Sequence, residues 1–143
     1  MPATAIFQPA AVLALWTLLV LFLIPFRRFR AAAAKRVTAE DFRFGESARV
    51  PADVSVPNRA WMNLLEAPVL FYVACMIWYA IGQVTDLVVA IAWTYVGLRI
   101  AHTLVHVTYN NVFHRLSVFA LSNIALTIFW ILLAVALWSA PAT

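Results

Sequence analysis

Charge is what this sequence has least of. Of 143 residues only 11% are charged, against 65% hydrophobic, where a soluble domain is about one-quarter charged and half apolar. A chain so poor in charge, with a mean hydropathy of +0.90, is built for hydrocarbon. Its single cysteine, Cys75, excludes an internal disulfide framework and any multi-cysteine metal site. Three glycines, few polar runs and 14% aromatics exclude a collagenous, disordered or linker-rich chain. Length alone points to one domain over residues 1–143.

Four apolar runs meet the ~20 residues a helix needs to cross ~30 Å of hydrocarbon. They cover about residues 6–26, 58–81, 86–107 and 115–138, with a long loop at about 27–57. Short connections between the last three make sequential helices neighbours, so the expected fold is all-α: a polytopic membrane protein built as an antiparallel four-helix transmembrane bundle. The first run is followed, not preceded, by basic residues and is long for a signal sequence, so it reads as a retained span. Pro57 suits the first turn of the second helix, where its missing N–H costs nothing. The alanine-rich stretch from Arg27 to Arg36 contains strong helix formers and can extend the first helix beyond the bilayer.

The basic residues orient the chain. Arg27, Arg28, Arg30, Lys35, Arg36, Arg43 and Arg49 crowd the long loop, and His114 and Arg115 end the third connection, while the second (Gly82 to Thr85) has none. The first and third connections are therefore expected in the cytoplasm with both termini outside, in a bacterial inner membrane or its equivalent. The pI near 9.8 follows from this bias and needs no nucleic acid, for which no motif is present.

Inside the spans, ionisable residues are expensive and normally have a partner or a task. Glu66 lies eight residues into the second span, Arg99 eight residues before the end of the third, and Asn123 eight residues after Arg115. All three fall at one level, roughly 12 Å below the cytoplasmic boundary at 1.5 Å per residue. Arg59, Asn63 and Glu66 share one helical stripe, as do Arg99, His102 and His106. Pro68 removes a backbone bond just past Glu66 and kinks the second helix, freeing the Leu64 carbonyl. Glu66 and Arg99 alone could be a structural ion pair, with Asn63 and Asn123 as interhelical glue. Two stripes converging on one face, with Arg59, Arg99 and Arg115 against a single carboxylate, point instead to a pocket for an anionic ligand. His102 and His106 match the i,i+4 spacing of a metal pair but lack a third ligand, so no metal site is assigned. Cys75, deep in the bilayer, behaves as a small hydrophobe.

Arg59-x-x-x-Asn63-x-x-Glu66-x-Pro68, Arg99-x-x-His102 and Arg115 opening the last helix resemble the MAPEG family (membrane-associated proteins in eicosanoid and glutathione metabolism). The resemblance runs from about Ala39 to Trp138 and is nearest the microsomal prostaglandin E synthase and microsomal glutathione transferase branch. It implies a homotrimer binding glutathione between protomers near the cytoplasmic side, and a hydrophobic small-molecule substrate. It implies contacts to the peptide from Asn63, Glu66, Arg99 and His102, with Arg59 near the mouth, Arg30 at the end of the first helix and Asn123 as an amide beside the site. Arg115 matches the arginine that stabilises the thiolate, a role suited to a group that stays charged and offers several donors. Two positions depart from the family pattern: His106 replaces a tyrosine, with Tyr109 offset, and Leu116 replaces a serine, with Ser117 one step on. The implied activity is conjugation of glutathione to hydrophobic electrophiles or reduction of lipid hydroperoxides. The alternative is a non-catalytic lipid-binding or complex-associated protein of the same fold; ion translocation is disfavoured because the spans show no transporter-like repeat or paired broken helices.

Overall fold

In hydrocarbon every backbone N–H and C=O must be satisfied within its own segment, which leaves a long apolar run little choice but a helix. The computed structural model, which describes residues 2–139, is all-helical. Helix α1 (Phe7–Ala33) follows a 3-10 turn at Ala3–Ile6; α2 is Ala52–Leu65, α3 is Pro68–Ala80, α4 is Asp86–Val107 and α5 is Val112–Ser139. With α2 and α3 taken together, these are four long apolar helices able to cross a membrane. Large apolar side chains such as Leu15, Phe22, Ile128, Ile131 and Val135 face outward, as suits contact with lipid. The protein is a multi-pass integral membrane protein.

Helix α1 runs on past Arg27, Arg28 and Arg30 to Ala33, carried by alanine, the strongest helix former. It ends in a Schellman motif. Lys35 takes the left-handed conformation (φ 55°), its N–H donates to the Ala32 carbonyl and that of Arg36 to the Ala31 carbonyl, each at 2.9 Å. The following loop is tied back to the helices at several points. Arg28 pairs with Glu46 at 2.8 Å and lies over the Phe42 ring, Arg36 meets both carboxylate oxygens of Asp53 at 2.6 and 3.0 Å, and Ala31, Val37 and Val54 form a small core beneath.

Asp41 holds the centre of that loop. Its carboxylate accepts from the Thr38 N–H, the Thr38 hydroxyl and the Ser47 hydroxyl, each at 2.9 Å, and meets Arg49 at 3.1 Å. The Thr38 N–H above all, then the two hydroxyls, pull its pKa down to about 2. A carboxyl titrating lower when folded stabilises the loop above its unfolded value of ~3.9 and loses that contribution as pH falls toward about 2. Measured against an unfolded peptide at the same pH, amide exchange at Thr38 should therefore be slow at pH 5 and become relatively fast between about pH 4 and 2. Asp41→Asn should show the fast exchange already at pH 5, and unchanged exchange in that variant would reject this role.

Helix α2 starts at Ala52, capped by Pro51, six residues before the expected position 58. Pro57 is consequently not in the first turn but inside the helix, and buried. The cost is one backbone bond, to the Asp53 carbonyl. The loop contacts explain the early start, because the Asp53–Arg36 pair and Val54 hold this first turn against the end of α1. The second span is broken where Pro68 requires it. Pro68 has no N–H for the Leu64 carbonyl, so α2 stops at Leu65, Glu66 adopts ψ −92°, and α3 begins with Pro68 in its first turn.

Helix α4 is the central element, packed on α5 and also against α1 and α2. The core is aromatic at mid-height. Phe71 of α3 stacks on Tyr95 of α4 (4.7 Å between centroids) and on Phe129 of α5 (5.7 Å), with Trp78 beside it. Leu13 and Val20 of α1 close the apolar cluster. Helix α5 is capped by Asn111, whose side-chain oxygen accepts from the Phe113 and His114 N–H groups at 3.0 and 3.1 Å. That cap sets where Arg115 enters the bundle.

Candidate functional site

Spacing of four and three places Arg59, Asn63 and Glu66 on one stripe of α2, and that stripe lines a polar hollow of about 350 Å³. The opposite wall is His106 of α4, Asn110 of the following turn and Arg115 of α5, with Val56 and Met62 beside them. An adjoining hollow of about 250 Å³ shares Asn63 and Arg115 and adds His102, Val112, Leu116 and Phe119. One hollow is polar and the next mixed, and Asn63 and Arg115 stand in both. Such a concave site with a few convergent polar groups is the usual form of a small-molecule site.

Arg115 is aimed by Asn110. Its Nη1 donates to the Asn110 side-chain oxygen at 2.8 Å, and Asn110 holds a left-handed backbone (φ 46°), a conformation asparagine adopts more readily than most residues. No other side-chain bond among the described residues fixes the guanidinium, so its other donors remain open. Sequence reasoning missed Asn110. The signal was there in the Asn110–Asn111 pair, which marks a turn between two helices.

Arg99 is the most demanding group in the molecule. It is 1% exposed, its Nε–H donates to the Tyr95 hydroxyl at 3.0 Å, and its guanidinium lies over the Tyr95 and Phe119 rings. Both terminal nitrogens are buried without a hydrogen-bond partner. A charge taken out of water and left uncompensated costs several kcal/mol, by rough reckoning. Arg99 lines neither hollow; it lies behind Phe119, which lines the smaller one. Tyr95, its one hydrogen-bonding side chain, is the second residue missed from the sequence, although it stands four residues before Arg99 on the same face.

The sequence allowed Glu66 and Arg99 to be a structural ion pair; the two do not pair. Glu66 sits at the corner left by the Pro68 break and is exposed, and it makes no side-chain hydrogen bond or ion pair with any described residue. His102 and His106 are each 4% exposed, their rings 5.9 Å apart, and the His106 Nδ1 is buried without a partner. Among the described residues no cluster of three or more His, Cys, Asp or Glu side chains forms around them.

Four predicted or family-matched positions fall elsewhere. Asn123 is half-buried two turns beyond Arg115 and lines neither hollow. Arg30 is exposed in the last turn of α1 and is likewise outside both. Tyr109 is engaged with His114 at 3.2 Å, and the Ser117 hydroxyl donates to the Phe113 carbonyl at 2.9 Å, so neither fills the place of the tyrosine or serine that the family pattern has. A further hollow of about 400 Å³ lies between α1 and the loop, lined by Ile24, Phe29, Val37 and Phe42 among others, but it holds no convergent set of polar groups.

The assembled site carries cations Arg59 and Arg115 at its surface and Arg99 behind, with Glu66 as the one carboxylate, and amides from Asn63 and Asn110. No curated protein and no solved structure matches the chain. The MAPEG family model matches residues 6–135, from the start of the first span to the last turns of the fourth, and the chain belongs to the MAPEG family.

Proposed function

We propose that this protein is a glutathione-dependent membrane enzyme of the microsomal prostaglandin E synthase and glutathione transferase branch, which activates the glutathione thiol for conjugation to hydrophobic electrophiles or reduction of lipid hydroperoxides. Membership of the family supports a role in glutathione or eicosanoid metabolism in general. The observation that carries the finer reading is the polar hollow. An arginine at its wall with donors to spare, a second guanidinium behind it without partners for its terminal nitrogens, and an unpaired carboxylate opposite complement a peptide with two carboxylates, one ammonium and a thiol.

On this reading Glu66 receives the ammonium, Arg59, Asn63 and His102 hold the carboxylates and peptide groups, Arg99 adds its charge from behind Phe119, and Arg115 is the catalytic residue. Its guanidinium stabilises sulfur's negative charge and so favours the reactive form of a thiol whose free pKa is ~8.5. Bound glutathione supplies the nucleophilic sulfur. The mixed hollow behind Arg115, with Val112, Leu116 and Phe119, suits a lipophilic electrophile, so that rate comes from positioning and electrostatics. Arg59, Glu66 and Asn110 are exposed in the protomer. That exposure fits completion of the site by a neighbour in a homotrimer, where Arg30 and Asn123 could contribute. The site then opens to the cytoplasm, with both termini outside.

Calorimetric titration of glutathione into the detergent-solubilised protein tests the reading. Saturable binding, together with conjugation of an aryl halide, is expected. A titration without binding heat at millimolar glutathione would remove it and leave a lipid-binding or complex-associated protein of the same fold.

A further inference from the structure

One group in the polar hollow has no task in the scheme above. His106 lines the wall between Asn110 and Arg115, is 4% exposed, and its Nδ1 is buried without a hydrogen-bond partner. A buried polar atom left unpaired is costly and normally answered by a neighbour; here no hydrogen bond from a described residue to Nδ1 fixes the imidazole's tautomer, which leaves Nε2 able to act as the acceptor. The groups facing it are cationic Arg59 of α2 and Arg115 of α5 and the His102 ring of α4, with the Glu66 carboxylate on the same hollow. Arg115 can stabilise a sulfur anion but cannot remove the proton that must leave to make it, because an arginine is never the base.

We propose that His106 is a catalytic base that takes the proton of the bound thiol, an inference that rests on the glutathione reading. The S–H bond breaks, its electron pair stays on sulfur beside Arg115, and an N–H bond forms on the imidazole. With an aryl halide, that pair then makes the S–C bond, the halide departs with the electrons of the broken C–X bond, and the proton passes from His106 to water. Imidazole is the side chain most often used to take a proton in such a step. The histidine at this position would make proton removal internal to the site.

Proton counting tests it. Glutathione is titrated at pH 7 into the solubilised protein in two buffers of different ionisation enthalpy, while thiolate absorbance is followed in parallel. The wild type should release measurably less than one proton to buffer per thiolate formed, because His106 keeps part of it at equilibrium. His106→Gln, which keeps hydrogen bonding but cannot be protonated, should release about one per thiolate, or form at least about tenfold less thiolate at similar glutathione affinity. His114→Gln, which lies outside both hollows, should keep the wild-type ratio. One proton released per thiolate by the wild type, or a wild-type ratio in His106→Gln, overturns the proposal, and the first of these decides it even where the variant does not fold. A wild type that gives no binding heat overturns instead the glutathione reading beneath it.

Discussion

Arg115→Ala should lower kcat/KM for conjugation of glutathione to an aryl halide by about 10²–10³-fold, the usual cost of removing one donor aimed at developing negative charge. The structure gives the reason for so large an effect from one side chain. Arg115 is the cation common to both hollows, and Asn110 holds it in place by a single bond at 2.8 Å, so its remaining donors are pre-aimed and need no reorganisation when charge develops on sulfur. Thiolate absorbance on glutathione binding should fall with the rate. Arg115→Lys should recover part of the activity only, since an ammonium keeps the charge but not the planar fork held by Asn110. Asn110→Ala should follow in the same direction with a smaller loss. Equal thiolate absorbance in wild type and Arg115→Ala would show that another group stabilises the sulfur.

Arg99→Met should have two opposite effects. Without ligand, the variant should melt several degrees higher than wild type, since exchanging an uncompensated buried charge for an apolar side chain of similar length relieves about 1–4 kcal/mol. With glutathione this advantage should shrink, and reverse where the relief is smaller than the ligand's contribution. Ligand at 100 times its Kd stabilises a binding protein by about 2.7 kcal/mol, and this gain should vanish in the variant if Arg99 answers a carboxylate of the ligand. Melting curves with and without glutathione measure both effects. A variant that melts well below wild type in the absence of ligand would mean that the terminal nitrogens of Arg99 are satisfied within the assembled protein, and that its charge is structural.

Much of this architecture is legible residue by residue. Uninterrupted apolar runs locate the spans, since hydrocarbon leaves the backbone few alternatives to a helix, and Pro68 announces the break beside Glu66 because the missing N–H is a property of the residue itself. The stripe of Arg59, Asn63 and Glu66 is equally visible, because faces within one helix follow from its period. The start of α2 was not. Ala52 to Val56 carry no apolar periodicity of their own, and their helical state rests on Arg36, Ala31 and Val37 packing against Asp53 and Val54 from a distant stretch of chain. Asn110 and Tyr95 escaped for a similar reason. Each matters through the arginine it contacts, and only the packed structure shows that a turn asparagine reaches Arg115 or that a core tyrosine takes the Nε–H of Arg99.

What the sequence by itself determined is the solvent, the number of spans and the face of its own helix on which each polar residue lies. Only the tertiary structure decided which faces meet. Spacing along one helix leaves free its rotation and tilt against the next, and those depend on how Phe71, Tyr95, Trp78 and Phe129 interlock at the centre of the bundle. That packing separates Glu66 from Arg99 and brings Arg115 to the hollow that Asn63 and His106 line from opposite sides.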